Sequence, residues 1–492
     1  MRLPFLHRST PPSDEKPSDP VIAVAEGHDS IRLHVHNRTR TDFLAHSVFG
    51  ALHTAPATQR VVSSSLPASP NPDSGGFSVR STPLRLGAGG QVQVPPVRIQ
   101  PQTAAATGGY TVSLTLSPRN TPAYTATLTA PAPTLPAEGK SGWKPLPLSS
   151  SASGGLGSKG EEVYALQSSD AATNTVHVLL LPKIDMAAWM ATLPDGDLVS
   201  ALCVPGTHES CALYGWPISA CQDSAASIGY QLSRGVRFLD IRLALKGNPG
   251  AQALYAYHGV TDQKIEFSAI LTQVYTFLST SPRETVLMSV KQENNMAGFL
   301  DAVFGYINKN PAAWYLGTGI PRLGDVRGKV VLVSRFGSSN QQPGGIHPPI
   351  WPDSSPTAFS YTLPDGRTVV TQDWYNIGSL SAIPTKLGLI TALLTQTGAN
   401  TDVLGLNFTN GASFPMALPP WVAKGSGDQS AQTAGWMSTR GVNALLVDML
   451  AGKLANPQGK RAGLMNIFAL DFFDQPGLPA DLATLIVQAN FI

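Results

Sequence analysis

The chain has 492 residues, of which 42% are hydrophobic and 13% charged, with a net charge of +2. That much apolar material excludes wholesale disorder, and the length predicts two to four domains. A near-neutral balance without Lys/Arg blocks excludes a phosphate-reading nucleic-acid surface. In chain order, MRLPFLHRSTPPSDEKPSDP has neither the apolar core nor the small-residue cleavage site of a secretory signal. No run approaches the ~18 apolar residues of a membrane span. The expectation is a soluble protein, cytoplasmic or exported by an unconventional route, that meets any membrane from outside. Cys203, Cys211 and Cys221 are odd in number and lack CxxC spacing, so free or buried thiols are expected rather than disulfides or a zinc site.

Residues 1–20 read as a disordered tail of Pro, Ser and charge. From 21 to 182 the texture is β: IRLHVHN, QVQVPPVRI, YTVSLTLS and AYTATLT alternate between turns rich in Gly, Pro and Asn. This predicts an all-β, sandwich-like accessory domain. SSSASGGLGSKG (149–160) is a hairpin tip or flexible insertion; its Gly157-Ser158-Lys159-Gly160 order fails the phosphate-loop pattern. His34, His36 and His53 fall in this region and are expected at the surface rather than on a metal. The glycosylation patterns at Asn37 and Asn407 are expected to be chance matches.

The rhythm changes over 183–492. A short amphipathic helix, DMAAWMATLP, leads into strand-like LVSALCV. Apolar strands then alternate with helical segments: VRFLDIRLAL, LYAYHG, TVLMSVKQE, KVVLVSRF, TVVTQDWY, VLGLNFTN and NIFALDFF, with helices expected at 268–280, 386–398 and 441–453. Eight strands covered by helices predict an α/β fold, a (β/α)8 TIM-like barrel. No GxGxxG follows a strand, which argues against an open dinucleotide-binding sheet.

In such a barrel, chemistry gathers at the C-terminal ends of the strands. Those ends read His208 and Glu209, then Asp240 and Arg242, then His258, Lys291 and Glu293, Arg335, Asp373, Asn407 and Asp471. Eight apolar runs that each stop at a strongly polar group define one rim. There is no GxSxG elbow, so acyl hydrolysis is disfavoured. Two histidines can act as a base–acid couple in phosphoryl transfer, and Arg242 can grip a phosphate oxygen. Groups of both signs on the later strands suit a polyol.

VPGTHES (204–210), followed by QLSRGVRFLDIRL, YHG and RETVLMSVKQE, resembles the X-domain of the bacterial-type, phosphatidylinositol-specific phospholipases C. RGKVVLVSR and TQDWY fit the family's later strands, and the resemblance runs from about Trp189 onward. It implies a diacylglycerol-lyase that forms inositol 1,2-cyclic phosphate. His208 would be the general base, oriented by Asp471. His258 would be the general acid, held protonated by Glu209, with Arg242 on the phosphate. Asp240, Lys291, Glu293, Arg335, Asp373 and Tyr375 would contact substrate, Tyr375 by stacking on the ring. No cofactor is implied. The partner would be a phospholipid at a membrane surface.

The chain departs from the usual bacterial motif in having Glu209 where Asp follows the histidine. Asp474 competes with Asp471; the latter directly follows the apolar run. Eukaryotic relatives bind calcium through Asn and an E-x-D strand. Here Asp240-Ile241-Arg242 puts a guanidinium at a ligand position, so a metal-independent enzyme with no metal site is expected. The opposing reading is a cation held by Glu209, Asp240 and Glu293. A catalytically silent headgroup-binding module, another phosphodiesterase barrel and a glycosyl-anchor substrate remain as alternatives. Trp351, in GGIHPPIWPDSSP, and Trp421, in SFPMALPPWVAKG, are the expected membrane contacts, with packing beneath their own loops as the competing role.

Overall fold

The structure is a computed structural model that describes residues 30–51, 60–62, 68–70, 77–80, 84–100, 110–118, 124–130, 142–150, 162–170, 173, 175–248, 251–337, 344–426 and 439–492. The expected 1–20 tail, most of the 149–160 loop and His53 lie outside the described residues.

Between residues 30 and 182 the alternating segments form strands in two sheets, of six and seven strands. Ser30–Asn37 runs parallel to Thr175–Pro182 and antiparallel to Gln91–Gln100. Both sheets contribute to one apolar cluster, which includes Leu33, Val35, Phe43, Leu114, Leu116 and Val178. Strict alternation leaves the other face of Thr175–Pro182 to His177, Leu179 and Leu181; the two leucines join the core of the second half of the chain. Asn37 and Asn407 are both fully buried, so neither glycosylation pattern is accessible.

The second half is a curled mixed sheet. Its eleven strands, in chain order, are β1 (Val204–Thr207), β2 (Phe238–Lys246), β3 (Ala253–His258), β4 (Thr261–Glu266), β5 (Val286–Gln292), β6 (Trp314–Tyr315), β7 (Val330–Arg335), β8 (Phe359–Thr362), β9 (Thr368–Gln372), β10 (Val403–Phe408) and β11 (Ile467–Leu470). They pair in the order β6-β7-β5-β2-β1-β11-β10-β9-β8, with the hairpin β3–β4 hanging off β2. Helices α1 (Phe267–Thr280), α2 (Phe299–Ile307), α3 (Ile383–Thr397) and α4 (Val442–Ala455) cover the outside.

Three expectations about this half are corrected. LYAYHG is not a third parallel barrel strand; β3 pairs antiparallel with β2 and with β4. The links from Lys246 to Ala253 and across Gly259–Val260 leave no room for a crossover helix, and a parallel pairing needs one. The barrel is also not closed: among the described residues no ladder joins β6 to β8. The entry to β1 is shifted as well, because Val199–Ala201 is a 3-10 turn and the strand starts only at Val204.

Alternation sets the interior. Leu239, Ile241 and Leu243 on β2, with Met288 and Val290 on β5, point outward under the helices. Phe238, Leu287, Val331, Leu406, Phe408, Ile467 and Ala469 fill the inside. The residues continuing that inner parity include Arg242 and Arg335 within their strands and His208, Asp373 and Asp471 just past theirs, which is why they converge. Gly206 on β1 is required by this packing, since a Cβ there would lie 2.7 Å from Phe238 Cβ.

Candidate active site

His208 follows β1 directly and is buried. Its Nδ1 lies 2.8 Å from Asp471 Oδ1 at the end of β11. On the other side of the ring, the Asn410 amide Nδ2 lies 3.2 Å from Nε2. A carboxylate at Nδ1 and an amide donor at Nε2 select the tautomer with hydrogen on Nδ1 and a lone pair on Nε2. Burial, then the Arg242 cation, holds His208 well below the ordinary histidine value of 6.5, so its ring is neutral at rest. Burial pushes Asp471 up as well, so its part is to fix the tautomer rather than to hold an imidazolium in the resting state. Gln222 donates through Nε2 to the carbonyls of His208 (2.9 Å) and Leu470 (2.8 Å), fastening the two loops that carry the pair.

Arg242 sits among three carboxylates. Its NH1 is 2.7 Å from Glu209 Oε1, its Nε 3.0 Å from Asp240 Oδ2, and NH1 is 3.7 Å from Glu293 Oε1. Burial alone would lower Arg242, but Glu209, Asp240 and Glu293 outweigh it and hold the guanidinium firmly charged. Asp240 is fully buried and uses both oxygens internally. Oδ2 accepts from Arg242 and from the Glu209 backbone N–H, and Oδ1 accepts from Arg335 (3.2 Å) and the Ser289 hydroxyl (3.2 Å). Burial would raise its pKa, yet Arg242 and Arg335 overcome it and hold the carboxyl below the usual range. Asp240, expected to contact substrate, thus has both oxygens engaged within the protein and aims two arginines.

His258, at the tip of the β3–β4 hairpin, donates from Nδ1 to the Ser219 carbonyl at 2.7 Å. A carbonyl only accepts, so Nδ1 carries hydrogen and Nε2 is the working atom. Nε2 is 3.9 Å from Glu209 Oε1, which Arg242 also touches. Burial raises Glu209, opposed by Arg242 and His258. Glu209 holds this position with φ of +44°, a left-handed conformation that costs energy in a residue with a Cβ.

A cavity of about 300 Å³ opens beside Arg242, with Lys291, Arg335, Asp373 and Tyr375 on its walls. Lys291 Nζ is 2.7 Å from Glu293 Oε1. The Asp373 carboxylate accepts from the Trp351 indole N–H at 2.8 Å on Oδ2, while its buried Oδ1 has no partner. Burial raises the pKa of Asp373, against the pull of Arg335. The Arg335 guanidinium lies 3.5 Å from the centroid of the Trp351 ring. Trp351 is thus part of the pocket wall, bridging the open side between β7 and β9, which favours the packing role over the membrane contact. Trp421 is 40% exposed and stays available at the surface. Tyr375 donates its hydroxyl to Asp353 (2.6 Å) at the cavity mouth.

Four contributors were missed. Asn410, Gln222, Asp353 and the buried Lys386, whose Nζ donates to Gln372 Oε1 and the Trp374 carbonyl, all support the site. Asn407, read as the seventh strand's polar end, instead binds the Ile390 carbonyl on the outer face. The inner parity Leu404, Leu406, Phe408 continues to Asn410, a signal present in the sequence. The three cysteines are buried and free, in agreement with the expectation. Among the described residues no helix is long and apolar enough to cross a membrane.

Residues 217–336 match the family model of the X domain of phosphatidylinositol-specific phospholipase C. A 1-phosphatidylinositol phosphodiesterase of Listeria monocytogenes is 34% identical over 158 residues, 30% of this chain and 48% of that protein. The chain therefore spans about half the length of that relative. One of Staphylococcus aureus strain Newman is 27% identical over 247 residues, 46% of this chain and 75% of its own. Among solved structures, a Staphylococcus aureus phosphatidylinositol-specific phospholipase C covers 62% of this chain and 98% of its own, with TM-score 0.49 and 22% identity. The Listeria monocytogenes enzyme covers 62% and 99%, with TM-score 0.44 and 23% identity. The matched stretch holds Arg242, His258, Lys291, Glu293 and Arg335, whereas His208, Asp373 and Asp471 lie outside it.

Proposed function

We propose that this protein is a phosphatidylinositol-specific phospholipase C that releases diacylglycerol and inositol 1,2-cyclic phosphate. The observation that carries this is one charged centre, Arg242, placed beside two histidines whose hydrogen bonds leave one Nε2 basic and the other facing a carboxylate. His208 Nε2 takes the proton of the inositol 2-hydroxyl, and that oxygen attacks phosphorus in line. The bond from phosphorus to the glycerol oxygen breaks, and His258, paired with Glu209, protonates the leaving oxygen. Arg242 balances the charge on the remaining phosphate oxygens. Because the nucleophile belongs to the substrate, no activated water is needed. Lys291, Glu293, Arg335, Asp373 and Tyr375 bind inositol hydroxyls, with the unpartnered Asp373 Oδ1 as one acceptor.

The same reading makes the reaction metal-independent, since Arg242 already neutralises the Glu209–Asp240–Glu293 cluster. Phosphorus NMR of phosphatidylinositol vesicles with purified protein and EDTA tests both statements together. The expected result is a cyclic phosphate signal unaffected by the chelator. No cyclic product under any condition refutes the lyase, and rescue by calcium after EDTA refutes metal independence.

The β-rich segment 21–182 serves as an accessory domain docked on α4. Supporting this, Arg38 donates to the carbonyls of Leu454 (2.8 Å) and Ala455 (2.6 Å), and the Trp143 N–H donates to Asp448 (2.8 Å). Contact with a bilayer falls to apolar groups on the catalytic rim, where Phe414 and Ile350 are 71% and 72% exposed.

A further inference from the structure

His34 and His36 share a face of the strand Ser30–Asn37, and the parallel register sets His177 directly beside His34. This is the face turned toward the second half of the chain, opposite Leu33, Val35 and Val178. The three imidazoles form a cluster, with ring centroids 5.2 Å apart for His34–His177, 5.6 Å for His36–His177 and 6.4 Å for His34–His36. One nitrogen from each ring lies within 4.8 Å of the others. His36 Nε2 and His177 Nδ1 are 3.4 Å apart. Two nitrogens bound at ~2.05 Å to one tetrahedral zinc ion stand about 3.4 Å apart, so this pair already has the required spacing.

The cluster is poorly explained as packing. His36 is 2% exposed, yet its Nδ1 has no hydrogen bond, although the Gln91 amide lies nearby. His34 Nε2 is likewise buried without a partner. A buried acceptor nitrogen left unpaired costs stability; at His34 a cation bound to Nε2 would recover it, and at His36 a cation on Nε2 would fix hydrogen on Nδ1, toward the nearby Gln91 side chain. Burial, His177 and the neighbouring Arg38 push His36 down to about 4, so the ring is neutral and one of its nitrogens keeps a lone pair. Burial, then Arg32, lowers His34 too. The same two guanidiniums repel a divalent ion, which places the affinity below that of a thiolate site. Three imidazoles are ligands for a late first-row divalent ion and not for calcium or magnesium, which require oxygen.

We propose that His34, His36 and His177 form a three-histidine binding site for a late first-row divalent transition metal, represented by Zn2+, which ties two adjacent strands together at the seam with α4. A fourth position is left for water or another ligand. Nothing in this proposal depends on the catalytic reading.

The test is titration of the full chain, stripped with EDTA and desalted, with zinc chloride against a chromophoric chelator, repeated with Co2+ to read its visible ligand-field bands. Because His208, Cys221 and Asp471 also bring ligand atoms together, His208→Ala is run in parallel. The expected result is one equivalent bound by wild type and by His208→Ala, with four-coordinate Co2+ bands. In His36→Ala and His177→Ala the affinity should fall at least by the ~10–100-fold that loss of a mere supporting partner costs. His34→Gln, at a half-buried position, keeps side-chain volume and guards against loss of fold, verified by circular dichroism in EDTA. It should lose affinity while remaining folded. No zinc bound by wild type, an equivalent that leaves with His208→Ala instead, or a folded His34→Gln within about twofold of wild-type affinity would each overturn the site.

Discussion

The two histidines are distinguished by what each Nδ1 touches. Asp471 on His208 and the Ser219 carbonyl on His258 both fix hydrogen on Nδ1, but only His258 has a carboxylate near Nε2. On the proposed reading, His208→Ala and His258→Ala should each lower kcat by ~10²–10⁴-fold. The double variant should fall much less than the product, because the two act as a unit. Turnover near wild type in either single variant would remove its assignment. A pH profile adds a sharper check. Burial and Arg242 depress His208, so the acid limb of kcat/KM should lie below pH 6.5. As pH falls through the folded pKa, the base is protonated and activity is lost. In Arg242→Gln one depressing charge is gone, and the limb should move upward on top of a general loss of rate. An unmoved limb would place the titrating group elsewhere. Arg242→Lys should also be poor, because a single ammonium cannot hold Glu209 and Asp240 while facing phosphate.

At the scale of strands, two packing devices position that chemistry. Gly206 lets β1 lie against Phe238, so Gly206→Ala should cost about 1–3 kcal/mol by overpacking, and should displace His208 two residues on. Chemical denaturation measures the first effect and the drop in kcat the second; a variant as stable as wild type would mean the strands yield freely. At the other end of β2, Arg237 and Glu284 form a fully buried pair at 2.8 Å. Arg237 also donates to the carbonyls of Leu232 and Val236. Glu284→Gln should destabilise by about 3–5 kcal/mol, the cost of stranding one buried charge.

These strands also show what could be read from sequence. Apolar runs ending in charge located the rim, because a parallel strand buried on both faces has nowhere else to put a polar group. Parity within the run decides whether that group points inside, and applying it would have replaced Asn407 by Asn410 and kept Asp471 over Asp474. The role of Asp240 was not legible: an inward carboxylate at a strand end looks like a ligand until two arginines are seen to consume it. The antiparallel β3 left one mark, a link from β2 too short for a crossover helix, although the six-residue apolar strand itself does not tell its direction. For Trp351 the sequence left two roles, membrane contact and packing beneath its loop, because a proline-rich loop reads as exposed. The indole's bond to Asp373 depends on a strand that follows it. His177 lay about 140 residues from His36, and only the parallel register brings them together.

For the molecule as a whole, the open side of the curled sheet and the catalytic rim must meet a bilayer if the substrate is a phospholipid. With a net charge of +2, electrostatic attraction to an anionic surface is weak, so apolar contact has to supply most of the attachment. The exposed groups suited to this are Phe414 and Met416 in the loop after β10, Trp421 on the short helix that follows, and Ile350 before β8. Trp351 belongs to a different class, being tied to Asp373 and Arg335 inside the pocket. The two classes separate by substrate form. Full burial of one such side chain is worth about 1.5–3 kcal/mol, and partial immersion roughly tenfold in affinity. Phe414→Ala with Trp421→Ala should therefore weaken sedimentation with phosphatidylinositol vesicles by up to ~100-fold. Hydrolysis of soluble inositol 1,2-cyclic phosphate and the melting temperature should stay at wild-type values. Trp351→Ala should do the reverse, impairing the soluble reaction because Asp373 loses its donor and Arg335 its stacking surface, while vesicle binding persists. If the double variant lost both activities equally, the rim loops would be packing elements of the site, and the docking face would have to be sought on another side of the sheet.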